Sequence, residues 1–111
     1  MNKRYEIFIT AQAEKQLIQI RDYIAFELCS PIIAEKTISL LKEAIFSLEN
    51  FPKRIPLSEY EPNERGIRKM VVKNYLIYFY ADDLKNRVII VAVVYARCSQ
   101  TDILKSIAKE K

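Results

Sequence analysis

The sequence has no histidine, a single glycine (Gly66), two cysteines and four isolated prolines. Without histidine it lacks the side chain that usually shuttles protons near neutral pH, and Cys29 and Cys98 cannot be completed to a zinc site. Scarce glycine and isolated prolines exclude a flexible linker. The longest apolar run, residues 88–96, has nine residues, which is far too short to span a membrane.

The composition indicates one globular domain over residues 1–111. Half of the residues are hydrophobic and 29% are charged, which is typical of a chain that builds a single core. The first ten residues, MNKRYEIFIT, lack the apolar centre of a signal peptide. Two cysteines without metal-ligand spacing suit a reduced environment. We therefore expect a cytoplasmic protein with no structural disulfide, no metal and no cofactor.

The charge is modestly positive, +4 with a pI near 9.1. Such an excess is compatible with a nucleic acid, with an acidic protein partner or with neither. Six cations fall between residues 53 and 73, while the anions of that stretch lie in its connecting loop. The cations are Lys53, Arg54, Arg65, Arg68, Lys69 and Lys73, and the anions are Glu59, Glu61 and Glu64.

The first half of the chain predicts a strand and a helix hairpin. Residues 5–10 alternate in polarity, as a strand does, and Thr10 is a plausible N-cap for the helix that follows. Ser30 and Pro31 restart a second helix, with Ser30 expected to accept from its free amides. The two apolar stripes, both expected in the core, are Ala13, Leu17, Ile20, Ile24 and Leu28, then Ala34, Ile38, Leu41, Ile45 and Leu48. Pro52 closes the hairpin.

The second half predicts a loop over 53–64 and then three strands, at about 66–72, 75–81 and 87–96. Lys73-Asn74 suggests a tight turn between the first two. Strict alternation in the last strand sets Val88, Ile90, Ala92 and Val94 against Ile89, Val91, Val93 and Tyr95, so that both faces are apolar and the strand should be central. Residues 100–109 could form a short helix.

These elements predict a two-layer α+β fold of the order β-α-α-β-β-β. An antiparallel four-stranded sheet would pack one face against the helix hairpin.

Four segments in this order resemble the RelE/ParE superfamily of toxins from type II toxin–antitoxin systems. They are ITAQAEKQLIQIRDYIAFELCSPIIAEKTISLL, LENFPKRIP, RGIRKMVVKNYLIYFYADD and VYAR. The resemblance implies a growth-inhibiting toxin of plasmid-stabilisation type, silenced by a cognate antitoxin. Such an antitoxin would be acidic and would fold on contact.

Two branches of the superfamily imply different activities. RelE-like members cleave mRNA on the ribosome, which requires an acid, a base and cations for the developing charge. This chain has Leu76 where that pattern has an arginine and Ile103 where it has a tyrosine, and only Arg97 matches. The long hairpin and Phe51-Pro52 look more like ParE, whose members inhibit DNA gyrase without being enzymes. A diverged fold that serves only as an interaction partner is the third hypothesis.

The candidate site residues follow from these hypotheses. Target binding would use the cations and tyrosines of the strand block: Arg97, Arg65, Arg68, Tyr78 and Tyr80. A nuclease would use Arg97, Arg65 or Lys69 for phosphate charge and Tyr95 for proton transfer. Strand alternation sends Arg68 and Lys69 to opposite faces, so they cannot both face one ligand. Tyrosines on strands often lie at the margin of the core, with the hydroxyl exposed to solvent.

Overall fold

The computed structural model describes residues 4–58 and 66–96 of the chain. Strand β1 spans Glu6–Ile9, helix α1 spans Ala11–Asp22 and continues into a π-helical turn, Tyr23–Glu27, and helix α2 spans Pro31–Phe46. Two 3₁₀ turns follow, Ser47–Glu49 and Pro52–Arg54, before strands β2 (Arg68–Val72), β3 (Tyr75–Asp82) and β4 (Arg87–Tyr95). The predicted order of elements is confirmed. The helix predicted over 100–109 lies outside the described residues.

The four strands form one sheet in the order β1-β4-β3-β2, so β4 is central, as predicted. The sheet is mixed rather than wholly antiparallel, because β1 runs parallel to β4. The path of the chain explains this correction. The turn after α2 returns to the amino end of β1, where the Tyr5 N–H donates to the Glu49 carbonyl at 2.8 Å. Strand β2 begins at that end of the sheet. Because β2 pairs antiparallel with β3, and β3 pairs antiparallel with β4, strand β4 runs parallel to β1.

The two helices begin differently. The Thr10 Oγ accepts from the Ala13 N–H at 3.2 Å and donates to the Ile90 carbonyl at 2.8 Å, so the predicted cap is confirmed and also ties α1 to β4. The prediction for Ser30 is wrong, since its side chain makes no capping bond. Its backbone, at φ −134° and ψ 70°, departs from the extended geometry that places a capping oxygen over the first amides. Only its carbonyl takes part, accepting from the Ala34 N–H.

Each face of the sheet carries its own apolar cluster. The near-face cluster packs the helices on the sheet and includes Ala13, Leu17, Leu41, Ile45, Leu48, Met70, Ile77, Phe79, Val88, Ile90 and Val93. Each large side chain buried there contributes roughly 1.5–3 kcal/mol relative to an exposed one. The far-face cluster comprises Ile67, Leu76, Tyr78, Ile89, Val91, Ala92 and Val94. Both faces of β4 are therefore buried, as its sequence predicts.

Two details of the predicted pattern are wrong. A bulge in β4 places Ala92, not Val91, opposite Tyr78, so Val91 and Ala92 both join the far-face cluster and Val93 faces the helices. The extra residue shifts the alternation by one position. Leu28 is 56% exposed rather than part of the core, because the π-helical turn changes the phase of the first apolar stripe.

Neither helix in the described part of the chain is long and apolar enough to cross a membrane.

Candidate functional site

The predicted site residues fall into two groups. Arg65 and Arg97 lie outside the described residues, so their roles stay predictions. Arg68 and Lys69 lie on β2, Tyr78 and Tyr80 on β3, and Tyr95 at the end of β4.

Arg68 lies on β2 and serves the fold. The Arg68 Nη1 donates to the Ile55 carbonyl at 2.6 Å and lies 3.4 Å from the Lys53 carbonyl. Hydrogen bonds from a charged donor to main-chain carbonyls fix a segment that has no regular structure of its own. The guanidinium therefore joins the chain after the second 3₁₀ turn to the sheet, which limits what it can offer a partner.

Lys69 and Arg68 lie on opposite sides of the sheet, as alternation predicts. Arg68 pairs with Phe79 of the near-face cluster, and Lys69 pairs with Tyr78 of the far-face cluster. These two cations therefore cannot converge on one phosphate.

Tyr78 is fully buried, with 0% of its surface exposed. Burial raises the pKa of its phenol, because the charged form is disfavoured away from water. A ring with no exposed surface cannot stack on a partner unless the far-face cluster opens, so its position argues against the predicted target contact. Tyr80 is half-buried at the margin of the same cluster.

Tyr95 pairs with Tyr75 at the end of the sheet from which the chain continues towards Arg97. The two ring centroids are 5.6 Å apart at an interplanar angle of 61°, an edge-to-face arrangement typical of stable aromatic pairs. Burial first, and then the neighbouring Tyr95, raises the pKa of Tyr75. Tyr95 is therefore in part a packing residue.

Gln16 of α1 reaches the same region, and sequence reasoning missed it. Its Oε1 accepts from the Val93 N–H at 2.8 Å, on the side of β4 that β1 no longer accompanies beyond Ile90. A glutamine beside an apolar stripe carries no sequence signal for such a contact.

A second surface stands out at the end of the helix hairpin. Five large apolar side chains, each about half exposed or more, follow one another there: Tyr23, Phe26, Leu28, Ile32 and Ile33. We call these residues the tip patch. Phe26 and Ile32, the most open of them at 73% and 69%, border a cleft of about 390 Å³ between the π-helical turn and the start of α2.

The exposed apolar side chains of the tip patch make it a candidate interaction surface. A contiguous exposed apolar surface on a small protein marks an interaction site more often than isolated apolar residues do. Sequence periodicity missed the patch because Leu28 continued the stripe that was assigned to the core. Arg21 and Asp22, which line the cleft, pair with each other at 3.1 Å. Glu35 also lines the cleft and adds a negative charge to its margin.

Within residues 4–58 and 66–96, no three side chains that could hold a metal ion lie together.

The chain is similar to known proteins in its sequence pattern and in its fold. The family model for the ParE toxin of the type II toxin–antitoxin system parDE matches residues 7–97. A search of curated protein sequences finds no significant relative.

Solved structures share the fold. A chain of the chromosomal ParDE system from P. aeruginosa superposes with a TM-score of 0.72 at 16% identity, covering 86% of this chain and 99% of its own length. A chain of the RelBE2 toxin–antitoxin complex from Mycobacterium tuberculosis gives 0.62 at 17% identity, covering 83% and 91%. At such low identity these likenesses establish the fold alone.

Proposed function

The chain belongs to the family of ParE toxins of type II toxin–antitoxin systems, and from that premise we propose that it inhibits growth in the cytoplasm whenever its antitoxin is absent. The observation that carries the proposal is the family match over residues 7–97. The described fold, with a helix hairpin on one face of a four-stranded sheet, is consistent with it.

We infer that the target is DNA gyrase and that inhibition occurs by binding. The sequence has no histidine, and a phosphate-cleaving site would need a proton shuttle from another source. Leu76 stands where the RelE-like pattern has an arginine, and it is 4% exposed within the far-face cluster. A cation at that position would be buried in apolar surroundings, at a high cost in desolvation. These features favour a binding protein over a nuclease.

We further propose an acidic antitoxin as the physiological partner. The solved neighbours come from ParDE and RelBE toxin–antitoxin systems, and the chain carries a net charge of +4. The tip patch supplies the exposed apolar surface that an amphipathic segment would cover.

Induction of the chain alone tests the function. We expect growth arrest with intact mRNA, and rescue when the cognate antitoxin is co-expressed. The purified chain should abolish supercoiling by purified gyrase. Codon-phased cuts in mRNA on translating ribosomes would replace this proposal with the RelE-like activity. Normal growth of cells that contain the folded chain would reject both toxin activities and leave an interaction partner.

Arg97 is the residue we expect to matter most for the target. Arg97→Ala should relieve growth arrest while antitoxin binding is retained. Lys36→Ala, which removes an exposed charge from α2, is the matched control and should stay toxic. If Arg97→Ala is folded and as toxic as the control, the assignment of Arg97 is wrong.

A further inference from the structure

The tip patch is large enough for a specific contact. Its side chains, those of Tyr23, Phe26, Leu28, Ile32 and Ile33, are between 49% and 73% exposed. At roughly 200 Å² for a large side chain, the exposed part amounts to about 600 Å², near the upper end of what a monomer usually leaves open. Two such patches placed face to face would bury about 1,200 Å² in all, which is the lower limit for stable and specific interfaces.

The patch arises where α1 widens into the π-helical turn. The Leu28 N–H donates to the Tyr23 carbonyl, five residues earlier, at 3.2 Å, and this wider turn shifts the side chains that follow it. Ile24 is the one buried residue of the turn, and the main contacts of the turn are with α1 and α2. The sheet therefore does not cover Phe26 or Leu28, and both are open to another molecule.

The charges beside the patch complement each other across a twofold axis. Arg21 and Glu35 carry opposite signs and line the same cleft as Ile32. In the described part of the chain Glu35 has no ion-pair partner, and Arg21 has only its sequence neighbour Asp22. An exposed pair of that kind contributes little, so the guanidinium is available to a partner. When one surface serves both copies, a contact between Arg21 and Glu35 occurs twice.

We propose that in the absence of antitoxin the chain pairs with a second copy of itself through the tip patch, about a twofold axis. Phe26 and Ile32 of each copy pack against the patch of the other, and Arg21 faces Glu35 of the partner subunit. A second copy supplies an apolar face of equal size and both signs of charge, whereas a partner of one sign would satisfy only one of these two charged side chains. The antitoxin, which we propose to cover the same apolar side chains, would take the place of the second copy.

Sedimentation equilibrium of the full chain, purified without antitoxin, tests the pairing. The apparent mass should rise with concentration from 13.0 kDa to twice that value and no further, because a twofold contact closes on itself. A mass that stays at 13.0 kDa at every concentration overturns the proposal. A mass that continues to rise beyond the dimer also overturns it, since it requires a contact that does not close.

An apolar substitution locates the contact. Phe26→Ser should weaken the dimer by about a hundredfold or more, because each copy loses an aromatic anchor. Leu84→Ser, which removes a side chain that is 99% exposed in the turn between β3 and β4, is the matched control and should dimerise as the parent chain does. If folded Phe26→Ser dimerises as tightly as this control, the two copies meet elsewhere and the proposal is wrong.

Charge reversal tests the twofold arrangement. Arg21→Glu sets two acids against each other in its own dimer, and Glu35→Arg sets two arginines against each other, so each variant alone should dimerise roughly tenfold more weakly than the parent chain. In an equal mixture of the two variants, both contacts again join an acid and an arginine. The mixed dimer should therefore form about as tightly as the parent dimer.

The mixture also gives the decisive contrary result. If both variants are folded and their mixture associates no better than either one alone, Arg21 does not face Glu35 and the proposed pairing is overturned. These measurements involve neither gyrase nor ribosome nor antitoxin, so their outcome does not depend on the proposed function.

Discussion

The root and the tip of the helix hairpin carry comparable apolar side chains, but they are covered differently. At the root, Ala13, Leu17, Leu41 and Ile45 are buried in the near-face cluster, where α1 packs on β4. At the tip, the π-helical turn packs mainly against the two helices, and the apolar side chains of the tip patch are open to solvent. Helical periodicity shows that a face is apolar. Whether that face is core or binding surface depends on how far the sheet extends beneath it.

The largest expected difference between root and tip is in stability. Leu41, fully buried, becomes a cavity in Leu41→Ala, which should lower the free energy of unfolding by about 2–5 kcal/mol. Ile32→Ala at the tip removes a side chain of similar size that is exposed to solvent. It should change the free energy of unfolding by less than about 0.5 kcal/mol. Urea titration of the two variants measures both effects. Comparable losses would mean that the tip is packed as tightly as the root.

Partner binding should reverse this ranking. Phe26 is the most exposed residue of the tip patch, and aromatic anchors at interfaces often contribute about 2 kcal/mol or more. Phe26→Ser should therefore weaken antitoxin affinity by roughly tenfold or more while stability is retained. Leu84→Ser, at 99% exposure in the turn between β3 and β4, is the matched control. If both variants bind equally well in calorimetry, the tip patch does not contact the antitoxin.

The helix starts repeat the comparison on a smaller scale. Thr10, at the root, caps α1 and also donates to the Ile90 carbonyl, so Thr10→Ala should cost about 0.5–2 kcal/mol. Ser30, at the tip, makes no capping bond, and Ser30→Ala should be close to neutral. Thermal unfolding of the pair decides between them. An equal loss in Ser30→Ala would show that its hydroxyl caps α2 in solution.

Much of the fold could be predicted from local patterns. The root stripe, the Thr10 cap and the turn at Lys73 each depend on residues close in sequence, and each is confirmed. The direction of β1 could not be predicted from periodicity, because it depends on where the chain returns after α2. The bulge in β4 shifts the strand alternation by one residue, and the π-helical turn shifts the helical apolar stripe. No local feature of the sequence predicts either shift.

The candidate site was less predictable than the fold. Cations on a strand suggested a partner, yet Arg68 bonds to the Ile55 carbonyl, a contact made through the path of a loop. Tyr78 has the same alternation whether it faces solvent or a second core, and here it faces a core. Arg97 and Arg65 stay predictions. The tip patch is visible only once the sheet's extent is known.

The smallest expected effect concerns pH and involves two tyrosines of the covered sheet. The folded-state pKa of Tyr75 is raised, mainly by burial, above the ordinary value of about 10 for an unfolded tyrosine. As pH rises through about 10 the unfolded chain loses this proton first, so folding stability is complete below that pH and falls above it. Tyr75→Phe keeps the ring and removes the proton. Its stability should therefore fall less steeply between roughly pH 9 and 11 in urea titrations, with the remaining fall due partly to Tyr78, whose pKa burial also raises. An unchanged alkaline slope in the folded variant would show that Tyr75 ionises as readily in the folded sheet as in the unfolded chain.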